Sequence, residues 1–208
     1  VAVLSTGAAA QEQYQEGVHY DLIEPAIHTG ISDRVVVTEF FSYGCGHCYN
    51  FEPLLDSFES RLPEGVVVQR TPVIWNNNPG MKLLAKTYYA VEVLDVFEPV
   101  HGAVFNTIHR QRKRLSSPEA VRAVFVENGV DAKDFDRAFG SFGIDSMVRQ
   151  AAARTEGARV EGTPSLMVNG KYRIDTRQAG SQANMLKIAA FLADKELARL
   201  ERAPNAAD

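Results

Sequence analysis

The chain has 208 residues with a formal net charge of −4, 45% hydrophobic and 23% charged. That length buries a full core as one domain, or as one domain carrying an insertion. The mild acidic balance gives no electrostatic footing on nucleic acid or an anionic membrane, and no run of eighteen apolar residues is present to span a bilayer.

The first stretch, 1-10, is small and apolar, and Ala8-Ala9-Ala10 satisfies the small-residue rule for cleavage. It is expected to be the remnant of a secretory signal peptide cut after Ala10, with a disordered apolar N-terminus of a cytosolic protein as the competing reading. Export would put the chain in an oxidising compartment, where a disulfide persists. Tyr20-Asp21-Leu22-Ile23 predicts a short edge strand ended by Pro25. Val35-Val36-Val37-Thr38-Glu39-Phe40-Phe41 is β-branched and aromatic, which predicts a strand buried on both faces. Phe51, Leu54, Leu55, Phe58 and Leu62 then recur at helical spacing. Pro53 inside that helix removes a backbone hydrogen bond and is expected to kink it.

The only two cysteines, Cys45 and Cys48, stand between that strand and that helix. A helix start presents unpaired N–H groups and partial positive charge, which stabilises a thiolate. The Cys45 thiol is therefore expected below the ordinary cysteine range. Residues three apart share a helix face, so Cys48 can close a disulfide with Cys45. Stabilising the reduced form makes such a disulfide a stronger oxidant. His47 is expected to donate a hydrogen bond or positive charge to the thiolate, and Gly46 adds no bulk against an attacking thiol. A plain structural disulfide or two unrelated thiols remain open alternatives. A zinc site wants four ligands, and His19, His28, His101 and His109 supply no second ligand pair, so no metal and no bound cofactor is expected.

Glu39 lies within the buried strand pattern, and a buried carboxylate is costly unless paired or usefully protonated. Leu62-Pro63-Glu64-Gly65 closes the first helix, and Val66 to Val73 predicts the next strand, so the start reads as a βαβ unit. Arg70 on that strand is the candidate partner of Glu39. A half-exposed strand face is the competing placement for the acid.

From Trp75 the strand pattern disappears for about eighty residues. Met81, Leu84, Tyr88 and Val91 mark one helix, and further helices are predicted near Val100–His109, Pro118–Asn128, Asp131–Phe139 and Asp145–Gly157. Ser117-Pro118-Glu119 is a start signal and Gly129 a stop. The basic run His109–Arg114 reads as a solvated loop, too small for a nucleic-acid surface. Strands return at Ser165–Val168 and Lys171–Ile174, joined by the hairpin signal Asn169-Gly170. Ser181 opens a last helix with Met185, Ile188, Ala189 and Leu192 on one face. The result is an α/β fold with a mixed sheet, flanking helices and an inserted all-helical domain.

The chain resembles the DsbA family of periplasmic thiol:disulfide oxidoreductases, which have a thioredoxin fold. The resemblance is carried by Glu39 to Glu52 around the cysteines and by Leu62-Pro63-Glu64-Gly65-Val66. The helical insertion with Ala123 to Gly129 and the stretch Gly162 to Tyr172 carry the rest. It implies a thioredoxin-fold unit over 18-75 and 158-202, a helical insertion over 76-157 and a tail over 203-208. It implies that Cys45 is the exposed nucleophile, Cys48 its buried partner and His47 the thiolate-stabilising residue. Glu39 would be the buried acid that moves the second cysteine's proton, with Arg70 where many members have lysine. Thr163-Pro164 would be the cis-proline loop that faces the disulfide and offers backbone groups to an extended substrate.

Two positions depart from the pattern common in the family. Gly46-His47 stands where many members have Pro-His, and Thr163 where many have valine. Both touch the surface that sets redox potential and the balance of oxidase and isomerase action. The implied activity is donation of the Cys45–Cys48 disulfide to folding exported proteins with free thiols. A quinone-linked membrane protein of the DsbB type would reoxidise the pair, in the periplasm, with the enzyme a monomer. An isomerase or reductase, and a redox-inert peptide-binding or holdase protein, are the competing readings.

Overall fold

The computed structural model describes residues 13–202, so the expectations for 1-10 and 203-208 lie outside the described residues. Five strands form one sheet in the order β1-β5-β4-β2-β3. β2 (Val35–Phe41) is buried at every position, including the polar Thr38 and Glu39 within its β-branched and aromatic run. It pairs in parallel with β3 (Val66–Pro72), with Glu39 directly opposite Arg70. Its other edge takes β4 (Ser165–Val168) in antiparallel register. β5 (Tyr172–Asp175) follows, and β1 (Asp21–Leu22) closes the far edge beside it. Asn169 and Gly170 both have positive φ, 50° and 72°, which is the turn geometry that joins β4 to β5 closely.

Alternation along β2 sends side chains to both faces of the sheet. Val35 and Val37 pack with Phe51, Leu55 and Phe58 of α1 (Gly46–Glu59) and with Met185, Ile188, Ala189 and Leu192 of α8 (Gln182–Arg202). Phe40 packs on the opposite face with Val73, Val160 and Met167. Each such large side chain contributes about 1.5–3 kcal/mol when taken fully out of water. α1 runs as one helix through Pro53 and is not split there.

Between β3 and β4 the chain is helical, as the loss of strand pattern predicts. α2 (Pro79–Val93) starts on an Asn78 cap with Pro79 in its first turn. A π-helical turn, Phe97–His101, leads into α3 (Gly102–His109). The helix expected from Val100 therefore begins with a wider turn, centred on Pro99, whose missing N–H favours the change. α4 (Pro118–Glu127) has the expected Ser117 cap, with the hydroxyl accepting from the Ala120 N–H. α5 (Ala132–Phe139) is capped by Asp131. α6 (Phe142–Gly157) starts three residues before Asp145 because the Ser141 hydroxyl accepts from the Ile144 N–H. These helices share a core with Phe41 and Tyr43 at the end of β2. The one-turn helix α7 (Thr176–Ala179), capped by Asp175, has no counterpart in the sequence reading; four residues are too few to show a period.

Candidate active site

β2 ends at Phe41, and a short turn delivers Cys45 to the start of α1. Cys45 is the N-cap: its backbone is extended and its Sγ accepts from the Cys48 N–H at 3.4 Å. The first helical hydrogen bond, Tyr49 N–H to Cys45 C=O, is 3.1 Å. The sulfur thus occupies the place where a serine or aspartate oxygen would cap a helix. Cys45 is half-buried, and Cys48 one turn on is fully buried. Both are thiols.

Across the sheet, the loop before β4 brings Thr163 to the same sulfur. The Thr163–Pro164 peptide is cis, and the Cys45 thiol donates to the Thr163 carbonyl at 3.4 Å. Gly162, Thr163, Pro164 and Ser165 line a cleft of about 250 Å³ together with Arg173 and Arg177.

The two thiols are driven apart. Cys45 is pulled from its ordinary value of 9.0 down to about 5, chiefly by the hydrogen bond from the Cys48 side chain. Partial burial opposes this, while a hydrogen bond from the Thr163 side chain and the backbone N–H groups of Cys48 and His47 add to it. Cys48 is pushed far up by burial, then by its hydrogen bond to Cys45 and the nearby Glu39 charge. One group is ready to attack at neutral pH and the other is held as a thiol.

His47 enters this balance through its backbone N–H. Its imidazole is on the exposed side of the helix and makes no hydrogen bond to Cys45 among the described residues. The second position of a helix points its N–H at the cap while its side chain leaves the axis, which is why the backbone acts where the side chain was expected. Gly46 is exposed, and a Cβ there would touch only the His109 ring, at 3.9 Å.

Glu39 is fully buried, which rules out the half-exposed placement. Arg70, facing it across the parallel pair, puts Nε 3.6 Å from Glu39 Oε2. Burial and the charge of Glu52 raise the Glu39 carboxyl well above the usual range, against the pull of Arg70. The same guanidinium also meets Glu52, Asp56 and Glu59 of α1 at 3.8, 3.4 and 3.3 Å.

Two histidines near the site were passed over in the sequence. His109 donates from Nε2 to the Tyr43 carbonyl at 2.8 Å and stacks on Tyr49. His101 is buried, with Nδ1 2.8 Å from the Tyr43 hydroxyl and Nε2 3.1 Å from Glu52 Oε2. Their helical periodicity was visible. Their partners, 49 to 66 residues away in the chain, left no local signal.

A family model described as a DSBA-like thioredoxin domain matches residues 64–187. The thiol:disulfide interchange protein DsbA of Pseudomonas aeruginosa is 34% identical over 201 residues, covering 94% of this chain and 92% of that protein. The protein of the same name from Azotobacter vinelandii is 34% identical over 167 residues, covering 78% of this chain and 75% of its own. The crystal structure of Pseudomonas aeruginosa DsbA matches with a TM-score of 0.85 and 32% identity, over 91% of this chain and 97% of that one.

Proposed function

Because the chain belongs to the DsbA family of thiol:disulfide oxidoreductases, we propose that it acts as the oxidase, donating the Cys45–Cys48 disulfide to folding exported proteins. The observation that carries this reading is the split between the two thiols around one helix start. A substrate thiolate attacks Cys45 Sγ in the disulfide, and Cys48 leaves. A second substrate thiolate attacks the substrate sulfur, leaving a substrate disulfide and two protein thiols. The stabilised Cys45 thiolate is a good leaving group in that second step.

In this reading Cys45 and Cys48 are the catalytic pair. His47 supports the thiolate from the backbone, and Gly46 keeps the approach open. Glu39, with Arg70 beside it, supplies or accepts the Cys48 proton. Thr163 and Pro164 offer backbone to the substrate chain: the Thr163 carbonyl already reaches Cys45, and Pro164 has no N–H to satisfy. The cysteines carry the electrons themselves, so the cycle needs no bound cofactor. The same reading divides the chain into a thioredoxin-fold unit, 18-75 with 158-202, and the helical insertion 76-157. It places the protein in the periplasm as a monomer, reoxidised by a quinone-linked membrane protein of the DsbB type.

The direct test uses a reduced, unfolded protein whose activity returns only with its disulfides. Oxidised enzyme should restore that activity in proportion to the disulfide supplied, and Cys45→Ser/Cys48→Ser protein should not. Full recovery with the doubly substituted protein would favour a redox-inert holdase instead.

A further inference from the structure

Glu39 does not itself touch solvent. It is fully buried, and neither carboxylate oxygen has a hydrogen-bond partner. Arg70 beside it keeps its protons and cannot pass one on. Every cycle of the proposed reaction nevertheless moves a proton at Cys48, and an internal acid that takes it must be reset.

The polar atoms around the Arg70 guanidinium show where that route runs. Glu39 Oε1 and Oε2, Glu52 Oε1 and Arg70 Nε are all buried without hydrogen-bond partners. Glu39 and Glu52 approach the same guanidinium, at 3.6 and 3.8 Å. Buried polar atoms left unpaired in a cluster are where ordered water sits. The other oxygen of Glu52 already has its partner: His101 Nε2 at 3.1 Å. The far nitrogen of that ring is 2.8 Å from the Tyr43 hydroxyl, which serves as donor or acceptor and so accommodates either ring tautomer. Stacking on Phe97 at 4.3 Å fixes the ring plane. Glu52 and His101 both line a cavity of about 470 Å³ between α1 and α3, whose rim includes the exposed Asn50 and Glu98.

We propose that His101, acting through Glu52, carries protons between the buried Glu39 and solvent when Cys48 is oxidised or reduced. The proposal rests on the thiol–disulfide exchange argued above. Closure of the disulfide shows the balance. From a Cys45–glutathione mixed disulfide, the Cys48 thiol gives its proton to the Glu39 carboxylate and its sulfur attacks Cys45 Sγ. The Cys45–glutathione bond breaks, and glutathione leaves as the thiolate with that bond's electron pair. The proton then passes from Glu39 to Glu52, which share the Arg70 guanidinium, through a water bridging their unpartnered oxygens, then to His101 and out through the cavity. Besides Glu52 and Tyr43, the titratable groups facing His101 are Asp56 of α1, Arg70 of β3, Tyr88 and Glu92 of α2 and Glu98 of the π-turn. The effect of the ring is therefore read by changing His101 alone and leaving these groups in place.

The experiment follows the reduced protein with glutathione disulfide and resolves two steps: attack by Cys45, then closure by Cys48. His101→Gln keeps a hydrogen-bonding side chain but carries no titrating ring. It should leave the first step within about twofold and slow closure by about tenfold, below the roughly 10²–10⁴-fold of a direct general base. The slowing should vanish in a Glu39→Gln background, and added imidazole should restore closure in His101→Ala. Equal closure rates in wild type and His101→Gln would overturn the proposal. So would a slowing that persists undiminished with Glu39→Gln, or one that imidazole fails to relieve in a folded His101→Ala protein. If His101→Ala does not fold, the His101→Gln comparison decides alone. Failure of wild type to react at all would instead overturn the exchange reading.

Discussion

Thr163 and Cys45 lie 118 residues apart in the chain, yet the Thr163 carbonyl accepts from the Cys45 thiol at 3.4 Å. The sheet explains the meeting: β2 delivers Cys45 and its antiparallel neighbour β4 delivers the Thr163 loop to the same end. In the proposed function, the nucleophile and the backbone edge offered to substrate are therefore one surface. A polypeptide paired with Thr163 brings its own sulfur to Cys45 without further search.

The first prediction concerns pH. With Cys45 at about 5, alkylation of the reduced protein should be half-maximal near pH 5, and only Cys45 should react under native conditions. Cys48, fully buried and held as a thiol, should be modified only after unfolding. Mass spectrometry of the alkylated protein reads both. Cys45 is depressed in the folded state, so the thiolate's contribution to reduced-protein stability is fully present above about pH 9. It declines as pH falls toward 5, while the oxidised protein lacks it.

The largest support for the Cys45 thiolate is the Cys48 side chain. Cys48→Ala should raise the Cys45 pKa by about one unit or more, since one unit is worth roughly 1.4 kcal/mol and a hydrogen bond to a charged group about 1.5–3 kcal/mol. Given glutathione disulfide, the same variant should exchange with it and stop at the Cys45–glutathione mixed disulfide, releasing one glutathione thiol, whereas Cys45→Ser should form none. Thiolate absorbance against pH and mass spectrometry are the two readouts.

Glu39→Gln should stabilise the protein at neutral pH by about 1–3 kcal/mol, because an acid buried without hydrogen bonds costs that much to keep. Its folded-state pKa is raised, so the wild type pays nothing below its unfolded value near 4.5 and loses stability as pH rises through the folded value. The advantage of the variant should therefore fade toward pH 4.5 in denaturant titrations. Disulfide closure in it should be slower, so stability and rate move in opposite directions.

Gly170 has φ +72°, and a Cβ there would lie 1.8 Å from the Ile27 carbonyl oxygen. The Ile27 N–H is bonded to the Gly170 carbonyl at 2.8 Å, so the two backbones are held together. Gly170→Ala should cost more than about 3 kcal/mol in thermal or denaturant unfolding. Gly129 also has positive φ, but a Cβ there meets nothing within 4 Å, and Gly129→Ala should cost only about 1 kcal/mol.

What the sequence discloses is local. The β-branched run of β2, the cysteines at a helix start, the Ser117 cap and the Asn169-Gly170 turn each announce themselves within a few residues. The Glu39–Arg70 pairing was legible because a βαβ unit puts the two strands side by side. The π-turn at Phe97–His101, the short α7 and the partners of His101 and His109 were not. The His47 imidazole was credited with a contact that the backbone makes, because sequence shows which residue is near but not which of its atoms faces the sulfur. The contact of Thr163 with Cys45 was reachable only through family resemblance, since nothing local links positions so far apart.

The most direct test of the whole account is the reduction potential of the Cys45/Cys48 pair, equilibrated against glutathione buffers. A thiolate stabilised at the helix start predicts a potential well above that of thioredoxin, near −270 mV, and at or above the roughly −180 mV of a disulfide isomerase. A value close to thioredoxin's would contradict the oxidase and make the protein a reductase.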